Sequence, residues 1–468
     1  MGLKLVDQKQ FSSCWKDAKM PERLYIKPPQ GELFEAAAKV VQIIGQAGFK
    51  AYWVGGAVRD MVLERVPDDV DMVTTALPEQ LQAIFPDAEM VGACFGVVLV
   101  KYSGFVFEIA TCREERSYQD GRHPEDIRFT DDVELDLKRR DFTVNSMLYD
   151  PAEGVVIDYN GGLQDIKARL LRVVGVPQER FGEDYLRMFR AVRFAAKLDF
   201  VIEKSAWLAI KDMAPLTGKL AAERVRDEVE MMLCSSRARQ ALELLKESGM
   251  LKVWLPEVDV LAGVEQHPKY HPEGDVWEHT LLMFDKLGMV PEPLLAWSML
   301  LHDIGKKPTF ARGEDGIPHF YGHEAVGADM IPAIAERMRF SRDMAVGVEH
   351  AVRYHMRFAS VMEMRPAKLK RLMAEKNFVT ELELHRVDCQ ASNGLVQGYE
   401  FLCSKLRSDK PRTLPEPLIN GLDLIRMGYQ PGAQFKVILE KVMDGQLEDQ
   451  FRCKAEAEMW IKNQFPLI

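Results

Sequence analysis

The sequence predicts an α+β protein in which a mixed head is followed by an all-α remainder. Three observations carry this expectation. Short strand-like apolar runs (residues 51–54, 70–74, 95–102 and 105–111) are confined to the first third of the chain. Beyond Val174 the apolar residues recur at helical spacing, over residues 181–213, 219–249 and from 277 onward. Pro and Gly interrupt that helical stretch at residues 291–293, 313–318 and 410–417.

The elements follow in order. Residues 1–30 read as an N-terminal arm ending at the turn signal Lys27-Pro28-Pro29-Gln30-Gly31. A helix fits residues 33–48, and the strand Ala51-Tyr52-Trp53-Val54 then runs into Gly55-Gly56. Ser103-Gly104 between two apolar runs marks a hairpin. The expected parts are a compact head over 31–165, a helical neck over 166–245, a helical body over 246–410 and a helical tail over 411–468.

Composition excludes several classes. With 47% hydrophobic and 28% charged residues the 468-residue chain is neither disordered nor a stapled miniprotein. No stretch approaches 18 uncharged apolar residues, so no membrane span is expected, and the charged N-terminus lacks the apolar core of a signal peptide. The seven cysteines are scattered and lack CxxC spacing, which fits reduced thiols in a cytoplasmic protein without a zinc site. The net charge is 61 − 71 = −10. An acidic chain is not coated in nucleic acid, yet a local basic groove still binds phosphates.

Chemistry concentrates first in the head. Gly55-Gly56 between strand and helix permits close backbone approach to a phosphate at a helix N-terminus. Asp69 and Asp71 are two apart and share a face if both lie on the strand, where they repel unless a cation lies between them. A solvated acidic turn has the same spacing. Glu108 interrupts the apolar run Phe105-Val-Phe-Glu-Ile-Ala-Thr111, where an acid is costly unless it is paired, metal-bound or facing water.

This series resembles the nucleotidyltransferase fold of the DNA polymerase beta superfamily. Three further motifs follow: Asp136-Leu-Lys-Arg-Arg-Asp-Phe-Thr-Val-Asn-Ser146, Asp158-Tyr-Asn-Gly-Gly-Leu-Gln-Asp165 and Glu183-Asp-Tyr-Leu-Arg187 with its continuation to Lys197. With them the chain resembles the class II tRNA nucleotidyltransferase and bacterial poly(A) polymerase family, over about residues 54–230. The resemblance implies a polymerase-beta-like head with Asp69, Asp71 and Glu108 as catalytic acids, the two aspartates holding Mg²⁺. It also implies nucleotide binding by Gly55, Gly56, Arg59, Arg139, Arg140, Asp141 and Asn145. Guanidinium forks suit triphosphate oxygens and the amide of Asn145 suits a sugar hydroxyl.

Glu183, Asp184 and Arg187 are spaced to share a helix face. An intrahelical salt bridge is one reading. In the family, the residues matching Asp184 and Arg187 pair with the base edge of the incoming nucleotide. A carboxylate accepts from the amino group of C or A and a guanidinium donates to its ring nitrogen or carbonyl, so the pair selects CTP and ATP without a nucleic-acid template. Arg190 and Arg193 continue the row, and Glu223 to Glu228 matches a motif expected to support this helix. Asp158 and Gly161-Gly162 resemble the hinge between head and neck, with Asp165 expected to cap the next helix. Residues 113–129 resemble the flexible loop of CCA-adding members. Members adding only A, or poly(A), remain alternatives.

The remainder carries a second series: His279, His302-Asp303, His323, His355 and Asp388. In that order they resemble an HD phosphohydrolase domain. Such a mixed imidazole and carboxylate set suits a transition metal such as Ni²⁺, Mn²⁺ or Co²⁺. His350 is a less well-placed spare. His123, His267, His271, His319 and His385 read as structural or exposed. The basic cluster Arg365, Lys368, Lys370 and Arg371 suits either an RNA-phosphate surface or a solvated helix face. The expected partners are tRNA, ATP and CTP, with no membrane and no identifiable protein partner. An HD phosphohydrolase whose head merely binds nucleotide is the competing reading of a different class.

Overall fold

The structure is a computed structural model that describes residues 20–91, 96–118, 124–408 and 413–467. The chain forms two compact units with their boundary between Pro256 and Glu257.

The first unit is built on an eight-stranded sheet. Its strands are β1 (Glu22–Tyr25), β2 (Ala51–Val54), β3 (Asp71–Thr74), β4 (Glu89–Val91), β5 (Val97–Tyr102), β6 (Phe105–Thr111), β9 (Met147–Asp150) and β10 (Val155–Asp158). A separate hairpin pairs β7 (Arg113–Tyr118) with β8 (Pro124–Phe129), so the described part of the segment resembling a flexible loop is a two-stranded sheet. The large sheet has the order β1-β10-β9-β2-β3-β6-β5-β4. Only β3 and β6 run parallel in it; the other neighbours are antiparallel. The period-two pattern of β6 buries Phe107, Ile109 and Thr111 and exposes Val106 and Glu108. Ser103 and Gly104 both adopt positive φ (50° and 83°), the conformation a two-residue hairpin with right-handed twist requires.

Helices flank and follow the sheet. Helix α1 (Glu32–Gln46) buries Phe34, Ala37, Val40, Val41 and Ile44, one stripe at helical spacing. Within the head, α2 (Gly56–Val62) follows β2 directly, with α3 (Pro78–Ile84), α4 (Val133–Lys138) and α5 (Gly162–Ala168) after it. The neck comprises α6 (Pro177–Glu183), α7 (Leu186–Leu198), α8 (Lys204–Met213), α9 (Ala222–Leu233) and α10 (Ala238–Ser248). Helix α7 buries Met188, Ala191, Val192 and Ala195 and turns Arg187, Arg190 and Arg193 the other way.

Three local features differ from expectation. Strand β3 starts at Asp71, so Asp69 lies in the turn before it rather than on it. The helix expected across residues 183–187 breaks at Asp184, whose backbone is extended (φ −150°, ψ 107°). Asp165 sits inside α5 and accepts from Thr143 Oγ1 at 2.7 Å and Arg172 Nε at 3.2 Å. Asp158 takes the capping role instead. Its oxygens accept from the backbone N–H groups of Asn160 (3.0 Å), Gly161 (2.9 Å) and Leu163 (2.8 Å), satisfying the donors that α5 leaves at its start.

The second unit is helical, with three apolar clusters. One joins Met283, Leu287, Leu295, Met299 and Leu384, a second joins Phe358, Leu372, Phe378 and Leu402, and the tail closes around Leu424, Ile438, Val442 and Ile461. The basic cluster is partly spent on this tail. Arg371 pairs with Asp444 at 2.9 Å and Lys370 donates to the Leu447 carbonyl at 2.7 Å, fastening helix Pro366–Met373 to helix Ala433–Leu447. Cys112, Cys389, Cys403 and Cys453 are free thiols, while Cys14, Cys94 and His123 lie outside the described residues. Among the described residues no helix is long and apolar enough to cross a membrane.

Replacing Asp158 with Ala removes the side-chain acceptor of three backbone N–H groups at once. The variant is expected to lose about 1–2 kcal/mol of stability, read as a lowered midpoint in chemical unfolding of the first unit, whereas a midpoint equal to that of the parent would show that solvent replaces the cap at no cost.

Candidate active sites

The register of the sheet assembles the first site. Val54 pairs with Asp71 across β2 and β3, which brings Gly55 beside that carboxylate. Met72 pairs with Ile109 across β3 and β6, so one residue earlier Asp71 lies beside Glu108. Gly55 has φ 72°, and a Cβ there would stand 3.8 Å from Arg140 Nη1 and 4.0 Å from Asp71 Oδ2. Glycine is therefore required by conformation, and its bareness keeps backbone, acid and guanidinium in close approach. The Asp71 carboxyl is pushed up to about 6, first by the protein packed around it and then by the like charges of Asp69 and Glu108, with Arg140 opposing. All three acids face solvent. An exposed trio of carboxylates, with a bare glycine beside it, fits a divalent cation with oxygen ligands.

The basic residues of the head are held in place by neighbours. Asp136 is fully buried and receives Arg139 at 2.7 Å and Arg140 at 3.2 Å. Burial opposes its charge, but the two guanidiniums outweigh burial and hold its carboxyl below the usual range. Arg59 is buried and donates to Asn145 Oδ1 at 2.7 Å and to Asp60 at 2.8 Å, which ties α2 to the segment after α4. Gly56 opens α2 next to that side chain.

The neck contacts the same segment. Arg190 pairs with Asp141 at 2.8 Å and Arg187 Nη2 donates to the Arg139 carbonyl at 3.0 Å. Arg187 also meets Glu183 at 2.5 Å and the Arg180 carbonyl at 3.0 Å. Asp184 does not pair with Arg187. It accepts from Leu186 N at 3.0 Å and pairs with Arg224 of α9 at 2.7 Å. Arg193 is held by Glu228 at 2.6 Å. Sequence reasoning gave the 223–228 motif a supporting role without its partners, because a contact 40 residues apart leaves no trace in helical spacing. The structure thus brings Gly55, Asp71, Glu108 and Arg140 together and stitches Arg139 and Asp141 to α7.

The second site lies wholly in the second unit. His279 comes from helix Val276–Leu287, His302 and Asp303 follow helix Pro293–Leu301, and His323 opens helix His323–Arg337. His355 follows helix Arg342–Tyr354, and Asp388 projects from helix Phe378–Ala391. They form two triplets, His279/His302/Asp388 and Asp303/His323/His355, each with ligand atoms within 4.8 Å of one another. Asp303 stands between the triplets, 3.0 Å from His302 Nε2 and 3.4 Å from His323 Nε2.

Each imidazole has its outer nitrogen tied down. The Nδ1 atoms of His302, His323 and His355 face the carbonyls of Met299 (3.0 Å), Phe320 (3.0 Å) and Val352 (2.7 Å). Those contacts place the proton on Nδ1 and leave Nε2 as a lone pair. His323 Nε2 and His355 Nε2 then face each other at 3.2 Å with no proton between them. The buried Nε2 atoms of His279 and His302 lack a well-directed hydrogen bond and face the carboxylates of Asp388 at 3.1 Å and Asp303 at 3.0 Å. Burial and positive neighbours lower His355 to about 4, and the surrounding cations hold Asp303 well below the carboxylate range despite burial. Imidazole nitrogens and ionised carboxylates aimed at shared points fit a divalent metal.

A cavity of about 630 Å³ opens onto this cluster. Asp303, His323, His355 and Asp388 line it, and so do His267, His271, His319 and His385, four histidines that sequence order alone left unassigned. His350 lies outside and pairs with Glu381 at 2.6 Å.

Fold and sites define a metal-dependent nucleotidyltransferase head and RNA-binding neck joined to an HD domain. Three family models agree: the poly(A) polymerase head domain over residues 51–172, the probable RNA- and SrmB-binding site of polymerase A over 199–261, and the HD domain over 274–381. The CCA-adding enzyme of Lactobacillus helveticus is 39% identical over 419 residues, covering 88% of this chain and 92% of that protein. The Geobacillus stearothermophilus CCA-adding enzyme is 43% identical over 241 residues, 52% of this chain and 57% of that protein. The crystal structure of Bacillus stearothermophilus CCA-adding enzyme in complex with CTP matches with a TM-score of 0.73 and 26% identity over 93% of this chain and 98% of that one. This chain belongs to the family of bacterial CCA-adding enzymes, in the type that carries a C-terminal HD domain.

The raised Asp71 has a pH consequence. A proton on Asp71 competes with the cation, so the divalent-ion requirement of the head is expected to be flat above about pH 7. It should rise about tenfold per unit once pH falls below about 6. Half-saturating Mg²⁺ for the head's nucleotidyl transfer, measured from pH 5 to 8, tests this, and a flat profile throughout would disprove it.

Proposed function

We propose that this chain is a template-independent nucleotidyltransferase that adds CMP and AMP, from CTP and ATP, to the 3′ end of tRNA. The observation that carries the reading is the convergence of Gly55, Asp71, Glu108 and Arg140 beside a neck that breaks its helix at Asp184 and carries Arg187 in the first turn of the next. Asp69 and Asp71 hold Mg²⁺, and Glu108 completes the acidic wall. Bound divalent ions supply activation of the RNA 3′-hydroxyl and neutralisation of the leaving pyrophosphate. The residues of the chain do the rest. Gly55 and Gly56 let the triphosphate approach the backbone, Arg139 and Arg140 bind its oxygens, and Asp141 with Arg190 fixes that segment to the neck. Arg59 and Asn145 support the sugar side. Asp184 accepts from the amino group of C or A while Arg187 donates to the ring, with Arg193 extending the cationic row. The parts 1–30, 31–165, 166–245, 246–410 and 411–468 serve as arm, head, neck, HD body and tail. A cytoplasmic setting is part of this reading, in keeping with the free thiols of Cys112, Cys389, Cys403 and Cys453.

A second activity is favoured by the HD cluster and its cavity: metal-dependent hydrolysis of a phosphoester, with a transition metal such as Ni²⁺, Mn²⁺ or Co²⁺ held by His279, His302, Asp303, His323, His355 and Asp388.

Incubation with tRNAs lacking one, two or all three terminal nucleotides, each with single labelled NTPs, tests the first reading. CMP should enter the two shorter tRNAs and AMP only the tRNA lacking the final residue, and Asp71→Ala should abolish both. Incorporation of AMP alone would transfer the chain to the A-adding members, and long A tails to the poly(A) polymerases.

Arg187→Ala tests base selection. UTP offers no amino donor to Asp184 and presents N3–H to the guanidinium, and each such mismatch costs on the order of 1–3 kcal/mol, about ten- to a hundredfold. The variant is expected to incorporate CTP and ATP poorly and to lose discrimination against UTP and GTP, with tRNA affinity nearly unchanged. Unaltered CTP-over-UTP preference in four-nucleotide competition would reduce Arg187 to a scaffold residue.

A further inference from the structure

The cavity side of the HD cluster contains a carboxylate outside the two triplets described above, which groups instead with His271 and His279, their ligand atoms within 4.8 Å of one another. Glu273 lies in the loop before helix Val276–Leu287, and its side chain is 5% exposed. A single oxygen, Oε1, accepts from His279 Nδ1 at 2.8 Å and from His271 Nδ1 at 2.9 Å. The other oxygen is buried without a hydrogen-bond partner. The two rings meet edge to face, with centroids 5.1 Å apart at 87°. His279 belongs to the metal triplet, whereas His271 lines the cavity.

The loop is built to hold this carboxylate. Asp275 caps the helix through Glu278 N at 2.8 Å and reaches back to Gly263 N at 2.8 Å. Between cap and carboxylate, Gly274 adopts φ 114°, which L side chains rarely reach, so the chain turns sharply and Glu273 points back onto the rings. The contrast with the other imidazoles is chemical. His302, His323 and His355 lean on neutral backbone carbonyls, but His279 leans on a charged acceptor, a stronger and more directional anchor. An imidazole so held keeps its proton on Nδ1 and offers a more electron-rich Nε2 to a cation.

We propose that Glu273 is a positioning residue that couples metal retention by His279 to substrate contact by His271 in the HD cavity. One carboxylate oxygen fixes both rings, so the ring that grips the metal and the ring that meets the phosphoester cannot move independently. The inference rests on the phosphohydrolase reading of the HD domain.

The test uses the full chain with Asp69→Ala and Asp71→Ala as background, so that Mn²⁺ titration calorimetry reports the HD site. Hydrolysis of bis(p-nitrophenyl) phosphate at saturating Mn²⁺ provides the second readout. Adding Glu273→Ala should weaken Mn²⁺ binding about 10–100-fold and raise KM. Glu273→Gln should do so in the same direction by less, since its amide oxygen still accepts but without charge. His271→Ala should leave Mn²⁺ affinity within about twofold and raise KM, because that ring touches substrate and not metal. Mn²⁺ affinity of Glu273→Ala equal to that of the background overturns the proposal. Should the Ala variant fail to fold, unchanged affinity in Glu273→Gln overturns it as well. Unchanged KM in His271→Ala refutes the coupling to substrate. A background protein that binds no Mn²⁺ at all, matching a His302→Ala control, rejects the phosphohydrolase reading itself and this inference with it.

Discussion

The first unit depends on a repulsion that the sheet enforces. Asp71 and Glu108 stand side by side because β3 and β6 pair in parallel, and Asp69 enters from the turn just before β3. Backbone hydrogen bonds on both sides of these strands prevent the acids from separating, since β3 and β6 are interior to the sheet. The protein packed around Asp71 and, after it, the like charges of Asp69 and Glu108 appear as proton affinity, and Asp71 is raised to about 6. Other features of the head are arranged around that pocket of negative charge. Gly55 adds no side chain to it, and Arg140 is kept within reach but restrained by Asp136. A guanidinium free to collapse onto Asp71 would neutralise the acids and displace a cation. Asp136 prevents this at the expense of its own burial.

The neck solves a different problem, which is to hold a row of arginines rigid. Arg190, Arg193 and Arg59 all approach the Phe194 ring, at 5.3, 4.5 and 5.3 Å, and each also has a carboxylate partner. Burial works against Asp141, yet Arg190 outweighs it and keeps the carboxyl below its usual range. Removing one member of such a buried pair strands the other charge, at a cost of about 3–5 kcal/mol. Long flexible side chains become fixed donors in this way, and fixed donors can discriminate between base edges where mobile ones could not.

Much of this was legible in the sequence, and the misses share a cause. Motif order identified the head, and the hairpin at Ser103-Gly104 and the change to helical spacing after Val174 gave the architecture. The break at Asp184 was not legible. Glu183, Asp184 and Arg187 fit a helix perfectly by spacing, and the chain leaves the helix because Asp184 finds Arg224, 40 residues away, and Leu186 N. Asp165 looked like a cap by position, but Asp158 has the capping geometry because β10 ends at that residue. Glu273 and His271 sit in a loop whose turn is set by Gly274, and loops carry no period from which a contact could be read. Sequence spacing records neighbours along one element, whereas these residues act across elements.

The HD cluster makes the same point in its geometry. The order of its histidines and aspartates along the chain gives the ligand set, but not its division into two triplets with Asp303 between them. That division arises because Asp303 follows His302 directly at the end of one helix, so a single turn supplies a ligand to each triplet. Lys306, one turn further on, reaches Asp303 at 2.8 Å and is itself held by Gln266 at 2.7 Å. The lysine stabilises the ionised carboxylate that faces both triplets, while its ammonium lines the cavity. Carboxylate, imidazoles and ammonium are thus fixed in one polar wall before any ligand enters. A wall of that kind spends its desolvation cost during folding, so whatever enters the cavity meets polar groups already in place.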